Sequence, residues 1–285
     1  MADEGHDAPR LIRQAVDWLK EWSYASKIIV GGERGPAVKP RDFYEGRQQR
    51  YPSIGNSHRL AKVASLACKY ASGAHRILDV GCGDGTFAAE IKQTVGDGEV
   101  YGIDISDADV ALARKRGVDA RVADVDSGRL PFEAATFDLV YAGEVIEHLY
   151  DPDHLLDEVA RLLTPGGVVI LDTPNLACLV NRLALLLGYQ PFLTDVSLRH
   201  NVGKLYSMGS GGSGHIRVFT RRALQQLLRL HDFQILEVAG APALESAYLS
   251  FPFYLRLVDE VLGRFPTVAP VLIVVARRHH GGGVR

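Results

Sequence analysis

Glu144-Val145-Ile146-Glu147-His148 sets two carboxylates and an imidazole close together in the chain. Positions i, i+3 and i+4 of a helix share one face, so Glu144, Glu147 and His148 converge if a helix begins at Glu144. A second imidazole, His215, stands far downstream in Gly214-His215-Ile216-Arg217-Val218-Phe219-Thr220-Arg221, just ahead of another helical pattern. Two carboxylates and two imidazoles suit Mg²⁺, Mn²⁺ or Zn²⁺, with coordination positions left over for substrate oxygens. A cation held there lowers the pKa of a bound hydroxyl; without one, His148 with Glu147 can serve as the general base that takes the hydroxyl proton. The residues alone leave both readings open.

A second group of residues is suited to holding a nucleotide-type ligand. In Ile77-Leu78-Asp79-Val80-Gly81-Cys82-Gly83-Asp84-Gly85-Thr86 a glycine-rich turn directly follows a buried-strand pattern and precedes a helical one. Glycines let the backbone turn sharply and approach a ligand closely, because no Cβ intervenes. Asp104 ends the next strand, about twenty residues beyond the turn, where a carboxylate can accept from both hydroxyls of a ribose and repels a 2′-phosphate. Asp124, in Ala123-Asp124-Val125, closes a third strand and is a candidate acceptor for an adenine amino group; its other reading is a turn or helix-cap carboxylate. The candidate contacts are Asp79, Gly81, Cys82, Gly83, Asp104, Ile105, Asp124, Val125 and Gly143.

These residues need a scaffold, and the hydrophobic periodicity supplies one. The spacing predicts helices over about 9–30 and 57–71, separated by a Gly- and Pro-rich surface loop to residue 56. Strands then alternate with helices: strands at Arg76–Val80, Glu99–Ile103, about 119–123, Phe137–Ala142 and Val168–Asp172, and helices at Thr86–Val95, Asp107–Arg116 and Ile146–Leu163. Asp151-Pro152-Asp153 reads as a turn that starts the longer part of the last helix. Such alternation predicts an α/β fold with a mostly parallel sheet and helices on both faces. Two late strands, Gln234–Val238 and Val271–Ala276, are placed at the sheet edge as a hairpin-like pair. The stretch 173–219 is too long for an ordinary connection and is read as a cap inserted after the fifth strand. Its Met208–Gly214 run has the composition of flexible coil, and 279–285 that of a disordered tail. The domain reading is therefore 1–56 as N-terminal helix and loop, 57–278 as the main domain, and 279–285 as the tail.

Asp79-Val80-Gly81-Cys82-Gly83-Asp84-Gly85, Asp104, Asp124, Phe137-Asp138-Leu139-Val140 and Leu163-Thr164-Pro165-Gly166-Gly167 together resemble the class I methyltransferase family over roughly 57–175 and 220–277. The resemblance implies a Rossmann-like sheet and S-adenosyl-L-methionine as cofactor in place of NAD. It also implies that the strand from Phe137 to Gly143 ends beside the reacting methyl group. Glu-x-x-Glu-His with a distant His before an aromatic residue resembles two methyltransferase groups. One is the ubiquinone-biosynthesis O-methyltransferases, and the other is the small-RNA 3′-terminal 2′-O-methyltransferases. In both, a metal held by such residues binds neighbouring hydroxyls of the acceptor. Many relatives carry Glu-His-x-x-Asp-Pro at this place to cap a helix and shape the pocket, a role without metal.

Composition narrows the acceptor. A formal charge of −2 provides no global basic field, and no separate RNA-binding module is evident, so nucleic acid is disfavoured. A small molecule, a lipid or a sugar hydroxyl is expected instead, by O-methylation; the alternatives are metal-independent transfer to nitrogen or carbon, and a cofactor-binding protein without turnover. The apolar segment 176–188 can contact a membrane surface or pack as a lid. Cys68, Cys82 and Cys178 lack the spacing of a disulfide framework or zinc knuckle, and the first residues lack the order of a signal peptide, so a cytoplasmic protein is expected.

Overall fold

Ile77 and Leu78, adjacent in one strand, are both wholly buried but belong to different cores, one on each face of a sheet. This is the consequence of a period-2 chain in a sheet covered on both sides. In a computed structural model, which describes residues 57–96, 98–197, 200, 202–205, 213–243 and 253–279, the chain folds as a seven-stranded sheet flanked by helices. The elements in order are α1 (Ser57–Ala71), β1 (Arg76–Val80), α2 (Thr86–Val95), β2 (Glu99–Asp104), α3 (Asp107–Lys115), β3 (Asp119–Val122) and β4 (Phe137–Gly143). A 3₁₀ turn (Ile146–His148) leads to α4 (Pro152–Leu162), β5 (Leu163–Pro174), α5 (Leu179–Leu186), α6 (Arg221–Leu230), β6 (Phe233–Ala241), α7 (Phe253–Gly263) and β7 (Val271–Arg278). The expected N-terminal helix and loop, the Gly/Ser run at 208–212 and the tail beyond residue 279 lie outside the described residues.

The strand order is β3-β2-β1-β4-β5-β7-β6. Strands β1 to β5 are parallel to their neighbours, and β7 enters antiparallel between β5 and β6. The core on one face draws on α1, α2 and α3 through Val63, Ile91 and Val110, and that on the other on α4 and α6 through Leu155 and Leu228. Strand order reverses at β1 and β4, which leaves a crevice at their carboxyl ends, the place where open α/β sheets bind ligands.

Two expectations are corrected here. The helix predicted from Ile146 to Leu163 is two pieces, because Asp151 precedes Pro152 and is driven out of the helical region, to φ −121° and ψ 86°. Asp151 instead caps α4, its carboxylate accepting from the backbone N–H of His154 at 3.0 Å. Nor does a helix begin at Glu144, which has a left-handed φ of 55°. The shared helical face expected for Glu144, Glu147 and His148 therefore does not form.

The excursion between β5 and α6 leaves and returns at one point, where Asn175 bridges Phe219. Inside it α5 buries Asn181 and Ala184 and leaves Leu186 79% exposed. Among the described residues, no helix is long and apolar enough to cross a membrane.

Candidate active site

The glycine loop forms as the sequence predicts. Gly81, Gly83 and Gly85 adopt left-handed φ values of 72°, 50° and 80°. The loop is stitched to the neighbouring strand, since Gly81 N–H and Cys82 N–H both donate to the carbonyl of Ile103, at 2.8 and 2.9 Å. A Cβ at Gly81 would run into the side chain of Val145, so the loop packs directly against the segment that follows β4. Asp104 completes the stitching: one carboxylate oxygen accepts from Gly83 N–H and the other from Ser106 N–H, each at 2.9 Å. Ile105 beside it is half-buried.

Asp79 ends up 1% exposed, and neither of its carboxylate oxygens has a hydrogen-bond partner among the described residues. Burial, reinforced by the charges of Asp104 and Asp172, pushes its carboxyl well above the usual carboxylate range. Such a group is stabilised by a cationic ligand beside it, which is how an ammonium or sulfonium fits this crevice. Asp124 is exposed, and one of its oxygens accepts from Asp126 N–H at 3.0 Å, the turn role anticipated as its second reading. Val125 is buried behind it.

On the other side of the loop, Gly143 ends β4 opposite Asp172 of β5. Tyr141 passes over Gly143 to donate to Asp172 at 2.6 Å, and a Cβ at Gly143 would meet the tyrosine hydroxyl. The ring of Tyr141 stacks on Phe87, and the Arg59 guanidinium lies over that Phe87 ring. Arg59 also reaches Asp172 and Glu144, both at 3.0 Å. Burial works against its charge, but the surrounding Asp172 and Glu144 outweigh it and hold the guanidinium charged. Burial lifts Asp172 to about 6 even so, against the pull of Arg59 and with a push from Glu144. Sequence reading missed this network. Its signal was Arg59 itself, a cation on the α1 stripe that continues through the buried Val63, Leu66 and Ala67.

Of the four candidate metal ligands, three come together. Glu147, His148 and His215 each bring one potential ligand atom within 4.8 Å of the others. Glu144 is outside this group, turned by its left-handed backbone toward Arg59. Glu147 is fully buried; one oxygen accepts from the Thr173 hydroxyl at 2.9 Å, and Oε1 has no hydrogen-bond partner among the described residues. Burial, followed by the charge of Glu144, pushes Glu147 well above the usual range, so an ionised Glu147 needs a cation at Oε1. Both imidazoles bond through Nδ1 to a backbone carbonyl, His148 to Gly214 at 3.1 Å and His215 to Leu193 at 3.0 Å. A carbonyl only accepts, so each Nδ1 carries the proton and each neutral ring has its lone pair on Nε2, the tautomer a metal-binding histidine needs. The donor set of two imidazoles and one carboxylate fits a divalent cation with open positions. His215 is brought to the site by the return of the excursion, where Ile216 N–H and Arg217 N–H donate to the carbonyl of Glu147 at 2.8 and 3.0 Å.

A family model for the methyltransferase domain matches residues 46–238. A 27-O-demethylrifamycin SV methyltransferase of Amycolatopsis mediterranei is 39% identical over 102 residues, covering 34% of this chain and 37% of that protein. A ubiquinone biosynthesis O-methyltransferase of Acinetobacter baylyi is 33% identical over 106 residues, 35% of this chain and 44% of that one. The chain spans between 37% and 55% of the length of four curated relatives it matches. A solved S-adenosylmethionine-dependent methyltransferase of Thermotoga maritima superposes with a TM-score of 0.56 at 19% identity, covering 85% of this chain and all of that one. At that identity the superposition shows a shared fold.

Proposed function

This chain belongs to the class I S-adenosylmethionine-dependent methyltransferase family, and on that premise we propose that it methylates a hydroxyl of a small organic acceptor with the help of a divalent cation. The observation that carries the reading is the convergence of Glu147 and His148, which follow β4, with His215. When bound, S-adenosylmethionine supplies a methyl group already activated on a sulfonium, and a divalent cation supplies Lewis acidity toward an acceptor hydroxyl. What remains for the chain is to bind and align the two partners. Asp104 accepts from the ribose hydroxyls, and the Gly81–Gly85 turn brings backbone close to the cofactor. The buried Asp79 would supply a counter-charge to a cationic cofactor, and Gly143, at the end of β4, would line its site. Glu147, His148 and His215 hold the cation, with Thr173 orienting Glu147 through its hydroxyl.

The Amycolatopsis rifamycin relative and the Acinetobacter ubiquinone relative bear names of O-methylating enzymes, which supports a small-molecule hydroxyl as acceptor. Exposed Leu183, Leu186 and Leu187 on and just past α5 keep a lipid-like acceptor or a membrane surface within that class. Three unpaired cysteines support a reducing, cytoplasmic setting. Chelation with EDTA tests the cation: labelled-methyl transfer should stop while cofactor affinity holds, and Mg²⁺, Mn²⁺ or Zn²⁺ should restore turnover. His215→Ala should behave like the chelated enzyme. Turnover that survives both treatments contradicts the cation and leaves His148 acting alone as base.

A further inference from the structure

We propose that Asp195, anchored by Lys204, is a positioning residue that fixes the tautomers of both His148 and His215. The proposal rests on reading Glu147, His148 and His215 as a cation site, and it concerns how the chain prepares that site. Asp195 lies in the excursion after β5, with its side chain 4% exposed against a Lys204 side chain that is 9% exposed. Its Oδ1 accepts from Lys204 Nζ at 3.0 Å. Its Oδ2 accepts from Ser213 N–H and the Ser213 hydroxyl, both at 2.6 Å, and from Gly214 N–H at 3.1 Å. Against the cost of burial, these donors hold its carboxyl below the usual range, so the anchor is ionised.

The carboxylate thus ties two separate stretches of the excursion together, and each supplies one of the carbonyls that orient the imidazoles. Gly214, whose N–H is held by Asp195, gives its C=O to His148. Leu193, two residues before Asp195, gives its C=O to His215. Leu193 does so from a left-handed φ of 50°, a conformation that costs a leucine and persists only where surrounding bonds enforce it. Gly214 is also left-handed, at 81°, where glycine is tolerated. Phe192 N–H to Asn181 and Ile216 N–H to Glu147 fix the flanks of these stretches, and the Asp195 bonds fix the two carbonyl-bearing segments to each other; with those bonds lost, neutral imidazoles can distribute between Nδ1–H and Nε2–H forms. Partners of this kind typically change metal affinity about 10- to 100-fold when removed.

The test uses the full chain with ¹⁵N-labelled histidine, stripped of metal, with His148 and His215 signals assigned from His148→Gln and His215→Gln. Wild type should show a single Nδ1–H tautomer at both rings. Asp195→Asn, which loses the ion pair and turns an N–H toward existing donors, should show mixed tautomers at both and a Mn²⁺ or Zn²⁺ affinity about 10- to 100-fold weaker by calorimetry. Single tautomers at both rings and wild-type affinity in a folded Asp195→Asn protein would overturn the proposal. If that variant does not fold, Lys204→Met is judged by the same two readouts. If wild type binds no cation while the Asp195 variant still scrambles the tautomers, the cation reading fails and the positioning role stands.

Discussion

Asp104 holds the glycine loop, and the proposed function gives the same carboxylate the ribose hydroxyls of the cofactor. The two carboxylate oxygens take the Gly83 N–H and the Ser106 N–H at the carboxyl end of β2. Hydrogen bonds to a charged group contribute about 1.5–3 kcal/mol each, so Asp104→Ala should weaken S-adenosylmethionine binding by roughly 100-fold or more. The same change loosens the loop, and melting must be recorded beside calorimetry. Unchanged affinity in a folded variant would sink the assignment. Gly81 makes a different demand, because its left-handed φ and the Val145 side chain both refuse a Cβ. Gly81→Ala should lose about 1–2 kcal/mol to backbone strain, with a further loss from the clash. A double-mutant cycle with Val145→Ala should show coupling above about 0.5 kcal/mol in denaturant unfolding. Additive effects would mean that the loop and the segment after β4 are not in contact.

At the scale of elements, α6 and α4 are joined by a titratable clasp. His231, at the end of α6, bonds through Nδ1 to Asp157 at 2.8 Å and through Nε2 to Asp153 at 2.9 Å, both on α4. Burial opposes the imidazolium, but the two carboxylates prevail and raise its pKa. A histidine whose folded pKa is raised contributes stability that is fully present below its unfolded pKa, about 6.5, and lost as pH rises through the folded value. Both aspartates are largely exposed, which limits the effect to several tenths up to about 1 kcal/mol. His231→Gln should therefore destabilise more at pH 6 than at pH 9 in urea melts; an equal loss at both would show that the clasp carries no charge. The elements themselves were readable because they obey local rules. Short β-rich runs marked β1, β2 and β4, and Gly81–Gly85 marked the turn between β1 and α2. The break before α4 was also written locally, in Asp151-Pro152, although apolar spacing runs across it. The Arg59 and Glu144 contact was not, because it joins α1 to the end of β4 and depends on a left-handed residue that spacing does not announce.

Across the whole molecule, charge is nearly balanced at −2, but the site is not balanced. Asp79, Asp104, Glu144, Glu147 and Asp172 gather at one sheet edge, where Arg59 pairs with Asp172 of β5 and with Glu144 just past β4. Burial first, and then these like charges, raise the proton affinity of Asp79 and Glu147. That field favours cationic ligands. His215 reaches the edge because the excursion after β5 closes on itself at Asn175 and Phe219 and hydrogen-bonds to the carbonyl of Glu147 on its return. Glu144, Glu147, His148 and His215 were all named from the sequence, whereas the meeting of the last three without Glu144 depended on long-range contacts and on the left-handed backbone at Glu144. The most direct measurement is transfer of label from methyl-labelled S-adenosylmethionine into a metabolite and lipid extract, with the product's linkage read by mass spectrometry and NMR. The account predicts a labelled methyl ether that disappears with EDTA and with His215→Ala; label on nitrogen or carbon, or no labelled product from protein that binds the cofactor, would contradict it.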